Sequence, residues 1–467
     1  MGGFKISFHG AAGEVTGSRH LLSTPSGTLL LDCGLFQGHR TDADSKNRTF
    51  RFEPASVGAA LLTHAHVDHC GLMPLLYRKG CTAPLYATPA TAEIAAVMMA
   101  DSARLQEGDA KFYNKVHAAE NLAIEPLYGE QDAELAGSHF RQAGYGEAFE
   151  PLPGVSAAFL NAGHVLGSSM VRLDFRAEGG PRRLLYTGDL GREETMLLET
   201  PAAPPGVDYL VIESTYGDRL HEPLADASGK LAEAVLRAVR EEGRVIIPSF
   251  ALERTQEIVL ILDKLRHDGV LPEVPVYVDS PMAVSLTEIF NRHRDGLCFN
   301  HKFRDYARAD GDPFGFDFIR YVRSKEESQA LNARKGPMVI VSASGMCEGG
   351  RILHHLRNSI DRENTTILLV GYQAQGTLGR RLQDGQKKVR IFGMEHEVWA
   401  RVETLHSFSS HADRNDLLSF IRAVGPARGV FLVHGDPEAR SSLSAALAVA
   451  GVRGVKCPSL GDAFDLD

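Results

Sequence analysis

The stretch Thr63-His64-Ala65-His66-Val67-Asp68-His69-Cys70-Gly71 packs four potential metal ligands into six residues. It follows the apolar run Ala59–Leu62, where a strand is expected to give way to a helix. With 19 histidines among 467 residues, the pattern H-x-H-x-D-H arises by chance in a chain of this length with a probability of roughly 0.002. Imidazole nitrogen and carboxylate oxygen are the donors that suit Zn²⁺ at about 2.0–2.2 Å. One tetrahedral ion cannot easily use all four neighbours on so short a loop and keep an open position. Two adjacent ions are therefore expected, with further ligands drawn from elsewhere in the chain.

Outward from this loop, three residues recur in the same setting, at the end of an apolar strand beside a glycine. They are His164 in Asn161-Ala162-Gly163-His164, Asp189 in Tyr186-Thr187-Gly188-Asp189, and His434 in Phe431-Leu432-Val433-His434-Gly435. Each alone reads more readily as a loop or turn residue; beside the first cluster all three become candidate ligands. Asp32, ending Leu29-Leu30-Leu31-Asp32-Cys33-Gly34, either orients a ligating histidine or forms a turn, and spacing leaves both readings open.

The rest of the chain shows how these residues are carried. Short β-rich runs open it: Lys5–Phe8, Thr28–Asp32, Ala59–Thr63, Pro84–Ala87, Ser156–Asn161, Ser169–Phe175, Arg183–Thr187 and Asp208–Glu213. A helix is expected over about Pro89 to Gln106. After Ala202-Ala203-Pro204-Pro205-Gly206 strands alternate with helices: Val245–Pro248 then Arg254–Arg266, Val276–Asp279 then Ala283–Arg294, Met338–Ser342 then Gly350–Asn358, Thr366–Gly371 then Thr377–Leu382. That alternation predicts a parallel sheet covered on both faces. Strand Val398–Leu405, helix Arg414–Val424, strand Gly429–His434 and helix Pro437–Ala450 then return to the first style.

Composition bounds the function classes. At 43% apolar and 23% charged residues the chain is globular, with room for two to four domains, not disordered or fibrous. Its six cysteines are scattered without C-x-x-C, so neither a disulfide framework nor a cysteine zinc site is expected, and a reducing, cytoplasmic setting fits. No basic-then-apolar leader and no run of about 18 apolar residues points to secretion or membrane spanning. Residues 212–402 hold 27 basic and 27 acidic side chains, so the net charge of −9 lies wholly in the flanking portions. Acidic excess there is compatible with carboxylates gathered around cations, and for most of these residues reads more readily as an ordinary acidic surface.

Taken together, these motifs resemble the metallo-β-lactamase superfamily, and within it the β-CASP ribonucleases related to the pre-mRNA 3′-end cleavage endonuclease subunit. The branch marks are Glu213 in Ile212-Glu213-Ser214-Thr215-Tyr216-Gly217, His411 in Phe408-Ser409-Ser410-His411-Ala412-Asp413, and His434. Pro248-Ser249-Phe250-Ala251, Val278-Asp279-Ser280-Pro281, Ser342-Ala343-Ser344-Gly345-Met346-Cys347-Glu348-Gly349-Gly350-Arg351 and Gly371-Tyr372-Gln373 extend the match along the chain. The resemblance implies an α/β fold: an αββα sandwich (1–211 and 403–467) interrupted by an inserted β-CASP α/β domain with a mainly parallel sheet (212–402). It implies two Zn²⁺ per chain, one held by His64, His66 and His164, the other by Asp68, His69 and His434, with Asp189 bridging. Histidine at position 434 favours RNA over DNA as substrate.

The expected activity is hydrolysis of phosphodiester bonds in single-stranded RNA, endonucleolytic with exonucleolytic action as a further mode. The catalytic set is His411, Glu213 and Asp68. Phosphodiester hydrolysis needs an activated water, neutralised phosphoryl oxygens and a proton for the departing alkoxide. The two ions serve the first two needs, by a metal-activated hydroxide. His411 supplies the third, held at a helix entry and kept protonated by Glu213. Ser344 and Gly345, at an expected helix start, and Arg351 are candidate phosphate contacts, and Arg380, Arg381, Lys387, Lys388 and Arg390 form a basic run that either follows the RNA backbone or is a solvated face. Two other readings compete. One is a metallo-hydrolase of a small ester, lactone or lactam, against which the long insertion argues; the other is a silent RNA-processing scaffold, against which the filled motif positions argue. The expected partner is single-stranded RNA, with no membrane and with room for a homo-oligomer.

Overall fold

In the computed structural model, which describes residues 3–38, 40–118, 123–223, 225–315, 317–371, 373–405 and 408–467, the early β-rich runs build two seven-stranded sheets. The first has the spatial order Ala463–Asp465, Lys5–Phe8, His20–Thr24, Gly27–Leu31, Val57–Leu61, Leu85–Ala87, Phe140–Gln142. The second runs Val455–Lys456, Gly429–Val433, Tyr209–Glu213, Gly180–Tyr186, Ser169–Ala177, Val155–Asn161, Ala148–Leu152. Alternate residues explain why they stack. Phe8, Leu22, Leu29, Leu31, Ala59 and Leu61 of one sheet and Phe159, Val171, Leu173, Leu184, Tyr186, Val211, Phe431 and Val433 of the other form a single buried cluster.

The opposite face of the second sheet is equally apolar. Met170, Leu185, Leu210, Ile212, Val430 and Leu432 pack with Leu417, Phe420, Ile421 and Val424 of helix Arg414–Val424 and with Leu443 and Leu447 of helix Pro437–Val449. Helices Met73–Arg78, Pro89–Val116 and Glu130–Ser138 pack together alongside the first sheet. This is the αββα sandwich expected from sequence. Helix Pro89–Val116 runs ten residues beyond Gln106. Apolar spacing fades there, and tertiary contacts hold the extension: Ala110 is buried, Asn114 exchanges two hydrogen bonds with the Ile124 backbone, and Glu107 accepts the Glu130 amide. None of the described helices is long and apolar enough to cross a membrane.

The chain divides into two compact units: the sandwich, comprising residues 1–193, 198–220 and 410–467, and a second unit of 194–197 and 221–409. The second unit carries a six-stranded sheet in the order Ile319–Tyr321, Val276–Val278, Met338–Ser342, Arg244–Pro248, Thr365–Val370, Arg401–Leu405, every neighbour parallel. Its four inner strands are buried on both faces, as a helix-covered parallel sheet requires, while the two edge strands are partly exposed. Two sequence readings are corrected here. The strand read as the return to the first style is Arg401–Leu405, paired with Thr365–Val370 in this parallel sheet. Glu213, read as part of the insertion, instead ends a strand of the sandwich, opposite Val433.

Candidate metal centre

All ten residues singled out around the proposed ions lie in the sandwich unit. Their convergence follows from strand direction. Gly27–Leu31 and Val57–Leu61 run parallel in the first sheet, and Gly180–Tyr186, Tyr209–Glu213 and Gly429–Val433 run parallel in the second. Residues just beyond the carboxyl ends of parallel strands emerge on one edge, which collects Asp32, His64, Asp189, Glu213 and His434. After His66 the chain turns into the short helix Val67–Cys70, which swings Asp68 and His69 back toward that edge. Gly34 lets the Asp32 loop press against this helix, because a Cβ there would lie 1.6 Å from the Asp68 carbonyl oxygen. His434 itself sits at φ +50°, strained backbone of the kind that clusters at functional sites.

The donor atoms form two sets. In one, His64 Nε2 lies 3.0 Å and His164 Nε2 3.2 Å from His66 Nδ1, and both Nε2 atoms face Asp189 Oδ2, at 3.5 and 3.6 Å. In the other, His434 Nε2 is 3.3 Å from both His69 Nε2 and Asp68 Oδ2, and His69 Nε2 is 3.2 Å from Asp189 Oδ1. Ligands about 2.1 Å from a tetrahedral ion stand about 3.4 Å apart, so both sets have the spacing of a coordination shell. Asp189 turns one oxygen to each. Its Oδ1 is buried with no hydrogen bond of good geometry, and the His69 and His434 rings face it at 3.2 and 3.4 Å, an arrangement that sets positive charge beside a carboxylate removed from water.

Hydrogen bonds behind the rings fix which nitrogen is free. Thr63 donates its hydroxyl to Asp32 Oδ2 at 2.8 Å and so accepts from His64 Nδ1–H at 3.1 Å. His69 Nδ1–H meets Asp32 Oδ2 at 2.8 Å, and His164 Nδ1–H the Ser410 carbonyl at 3.2 Å. Thr215 donates to the His434 carbonyl and accepts from His434 Nδ1–H at 3.0 Å. These bonds occupy Nδ1 of each of the four rings and turn its Nε2 into the cluster. Asp32 is fully buried, held further by Tyr186 O–H at 2.7 Å and by the Thr63 amide at 2.8 Å. Burial, with neighbouring histidines, depresses the basicity of His64 and His164 and brings His66 to about 3, so these rings are neutral donors. For His69 burial is overcome by the Asp189 and Asp32 carboxylates, which raise its pKa well above 6.5.

Beside the first set stands His411, its ring centroid 4.5 Å from that of His164. Its Nδ1 is 3.1 Å from both oxygens of buried Glu213. Glu213 Oε1 is itself fixed by the Leu190 amide at 2.6 Å, and Leu190 O accepts the Ala412 amide at 2.7 Å, so the segment following Asp189 clamps the pair. Asp413 caps helix Arg414–Val424, receiving the Asn415 and Asp416 amides. Burial works against a charge on His411, but Glu213, then Asp189 and Asp68, raise its pKa to about 9.

The structure gathers His64, His66, Asp68, His69, His164, Asp189, His434, Glu213, His411 and Asp32. It does not leave Arg351 free: its guanidinium binds Asp279 Oδ1 at 2.6 Å and the carbonyls of Val322 and Arg323 at 3.2 and 2.7 Å. Asp279 is buried and also takes His355 Nε2 at 2.6 Å, so Arg351 is a strut of the second unit. Nor do Ser344 and Gly345 open a helix. It begins at Ile352, the Ser344 amide donates to Gly349 O, and the Phe250 ring lies against Gly345. In the basic run, Arg380 pairs with Asp384 at 2.8 Å and Lys388 with Glu395 at 3.2 Å; Tyr372 of the neighbouring motif lies outside the described residues. Thr63, Thr215 and Tyr186 were missed by sequence reasoning. They adjoin or lie within the recognised motifs, but a hydroxyl's partner across strands leaves no spacing to read.

Comparison with known proteins gives three family matches: the Metallo-beta-lactamase superfamily over residues 13–249, the Beta-Casp domain over 255–382, and the Zn-dependent metallo-hydrolase RNA specificity domain over 395–457. A ribonuclease of Thermus thermophilus is 39% identical over 443 residues, 95% of either chain. Transcription termination factor FttA of Methanosarcina mazei is 31% identical over 459 residues, 95% of this chain and 68% of that one. A crystal structure of a protein of unknown function from Enterococcus faecalis V583 matches with a TM-score of 0.53 at 13% identity over all of both chains, a likeness of fold alone.

Proposed function

Since the chain belongs to the metallo-β-lactamase superfamily, in its β-CASP branch, we propose that it is a zinc-dependent ribonuclease that cuts single-stranded RNA endonucleolytically in the cytoplasm. His64, His66 and His164 would hold one Zn²⁺, Asp68, His69 and His434 a second, and Asp189 both. When bound, such a pair supplies Lewis acidity, lowers the pKa of water and neutralises the phosphoryl oxygens. The chain's own residues do the rest. Asp32 and Thr63 orient His69 and His64, while Thr215 orients His434. His411, protonated through Glu213, gives its proton to the departing ribose oxygen. The observation that carries this reading is the divided Asp189 carboxylate beside the His411–Glu213 pair. The test is to incubate purified, zinc-loaded protein with end-labelled single-stranded RNA, single-stranded DNA and a β-lactam. Internal cleavage of RNA in preference to the others is expected; turnover of the lactam alone, or of none, overturns it.

The proton inventory makes the two ions unequal. Zinc needs the lone pair of His69 Nε2, and the raised pKa of His69 means a proton must leave before that site fills. The three-histidine set has no such proton to expel, its rings being neutral far into acid. Dialysis from pH 8 down to pH 5 is therefore expected to remove zinc in two steps, the Asp68–His69–His434 ion first, with metal content passing through one per chain. Loss of both in a single step would contradict the assignment.

Glu213→Gln keeps the shape of the pair and removes its charge. A raised pKa keeps His411 protonated until pH nears about 9, above which the acid is lost. Without the carboxylate the burial penalty dominates, so the alkaline limb of kcat should move down by one unit or more in Glu213→Gln. A pH–rate profile identical to wild type would separate Glu213 from proton donation.

A further inference from the structure

At the amino-terminal edge of the second unit's parallel sheet lies a cavity of about 230 Å³, where strands Arg244–Pro248 and Thr365–Val370 begin. Four cationic side chains line it, Arg244, Arg334, Lys335 and Arg362, against one acidic residue, Glu242. Arg244 is only 6% exposed; its Nη2 donates to the Asn332 and Arg334 carbonyls, but its Nη1 is buried with no partner. Thr365, 1% exposed and lining the same cavity, also has its Oγ1 unpartnered. No ion pair among the described residues reaches any of the four cations, and Arg362 acts on Arg244 by charge repulsion strongly enough to lower its pKa, after the larger effect of burial. Buried donors left unsatisfied beside unneutralised guanidinium groups are the pattern expected when an anion is missing.

We propose that this cavity binds a phosphate group, with Arg244 and Thr365 donating from its floor and Arg362, Arg334 and Lys335 from its rim. Its volume falls below the ~300–1,000 Å³ of pockets that enclose whole small molecules, so it suits one phosphate, carried either by an RNA chain or by a small phosphorylated molecule. Planar guanidinium forks favour such tetrahedral oxyanions over chloride. Every lining residue belongs to the second unit, so this site does not depend on the zinc reading.

The test is calorimetric titration of inorganic phosphate into the full-length protein, wild type against the rim variant Arg362→Gln/Lys335→Gln, at constant ionic strength. Phosphate also binding at the metal centre contributes equally to both proteins and cancels in the comparison. Binding at least tenfold weaker in the rim variant, with an unchanged melting temperature, supports the pocket. Equal phosphate binding by the two proteins overturns it, and Arg244→Lys, which keeps the charge but not the fork, should weaken phosphate without unfolding. A 5′-phosphorylated RNA oligomer and AMP then identify the source. If RNA binding weakens in the rim variant the phosphate is the polymer's, and if only AMP weakens it is a small molecule's. RNA cleavage by wild type, assayed separately, keeps a failure here distinct from a failure of the ribonuclease reading.

Discussion

Replacing Asp189 by alanine is expected to cut bound zinc from two ions per chain to one or none and to lower RNA cleavage about a thousandfold or more. Among the described residues, Asp189 is the side chain whose two oxygens address both donor sets, Oδ2 toward Nε2 of His64 and His164 and Oδ1 toward Nε2 of His69. Its negative charge is also what makes a dense group of imidazoles tolerable to two dications. Losing it removes several kcal/mol of charge stabilisation, and each ~1.4 kcal/mol is a factor of ten in rate. Asp189→Asn, which keeps size but offers one neutral oxygen, should fall between alanine and wild type in metal content. Plasma mass spectrometry of the dialysed variants gives the readout. An alanine variant that retains two zincs and wild-type cleavage would undo the bridging assignment and, with it, the separation of the ligands into two sets.

Part of this centre is legible in the sequence because His64, Asp189 and His434 share one local rule: each follows an apolar strand, and parallel strands end on the same edge, so their settings mark them as candidate ligands across 370 residues. The fold class is readable from local pattern as well: runs such as Val245–Pro248 and Met338–Val341, apolar throughout, are what a sheet covered on both faces demands. Strand His20–Thr24 was not readable. Its ends are polar, and its place is decided by pairing with Lys5–Phe8 and Gly27–Leu31. Helix Ala225–Arg240, with Gly229 and several charges, was likewise obscured, since its order comes from one apolar stripe packed on the parallel sheet. Arg351 shows the converse error. A glycine loop ending in arginine looks like a phosphate cradle, yet the guanidinium is taken by Asp279, 72 positions away, and no local pattern announces a buried carboxylate that distant.

His411→Ala is the second large effect, and it should separate chemistry from metal binding. The imidazole is not among the donor atoms of either set; it stands beside them, held by Glu213 and by the backbone bridge between Gly191 and His411, with about a fifth of its side chain open to solvent. The variant should therefore keep both zincs and its melting temperature while RNA cleavage falls about 10²–10⁴-fold, the usual worth of a positioned general acid. A ribose alkoxide is a poor leaving group and needs that proton as the bond breaks. A nitrophenolate leaves without one. Against bis(p-nitrophenyl) phosphate the loss should accordingly shrink to less than about tenfold, since the remaining requirements, activated water and neutralised oxygens, do not involve His411. Equal losses on RNA and on the nitrophenyl ester would mean that His411 acts through the metals or through substrate placement, and the proton would then have to come from water or from another side chain at the same edge.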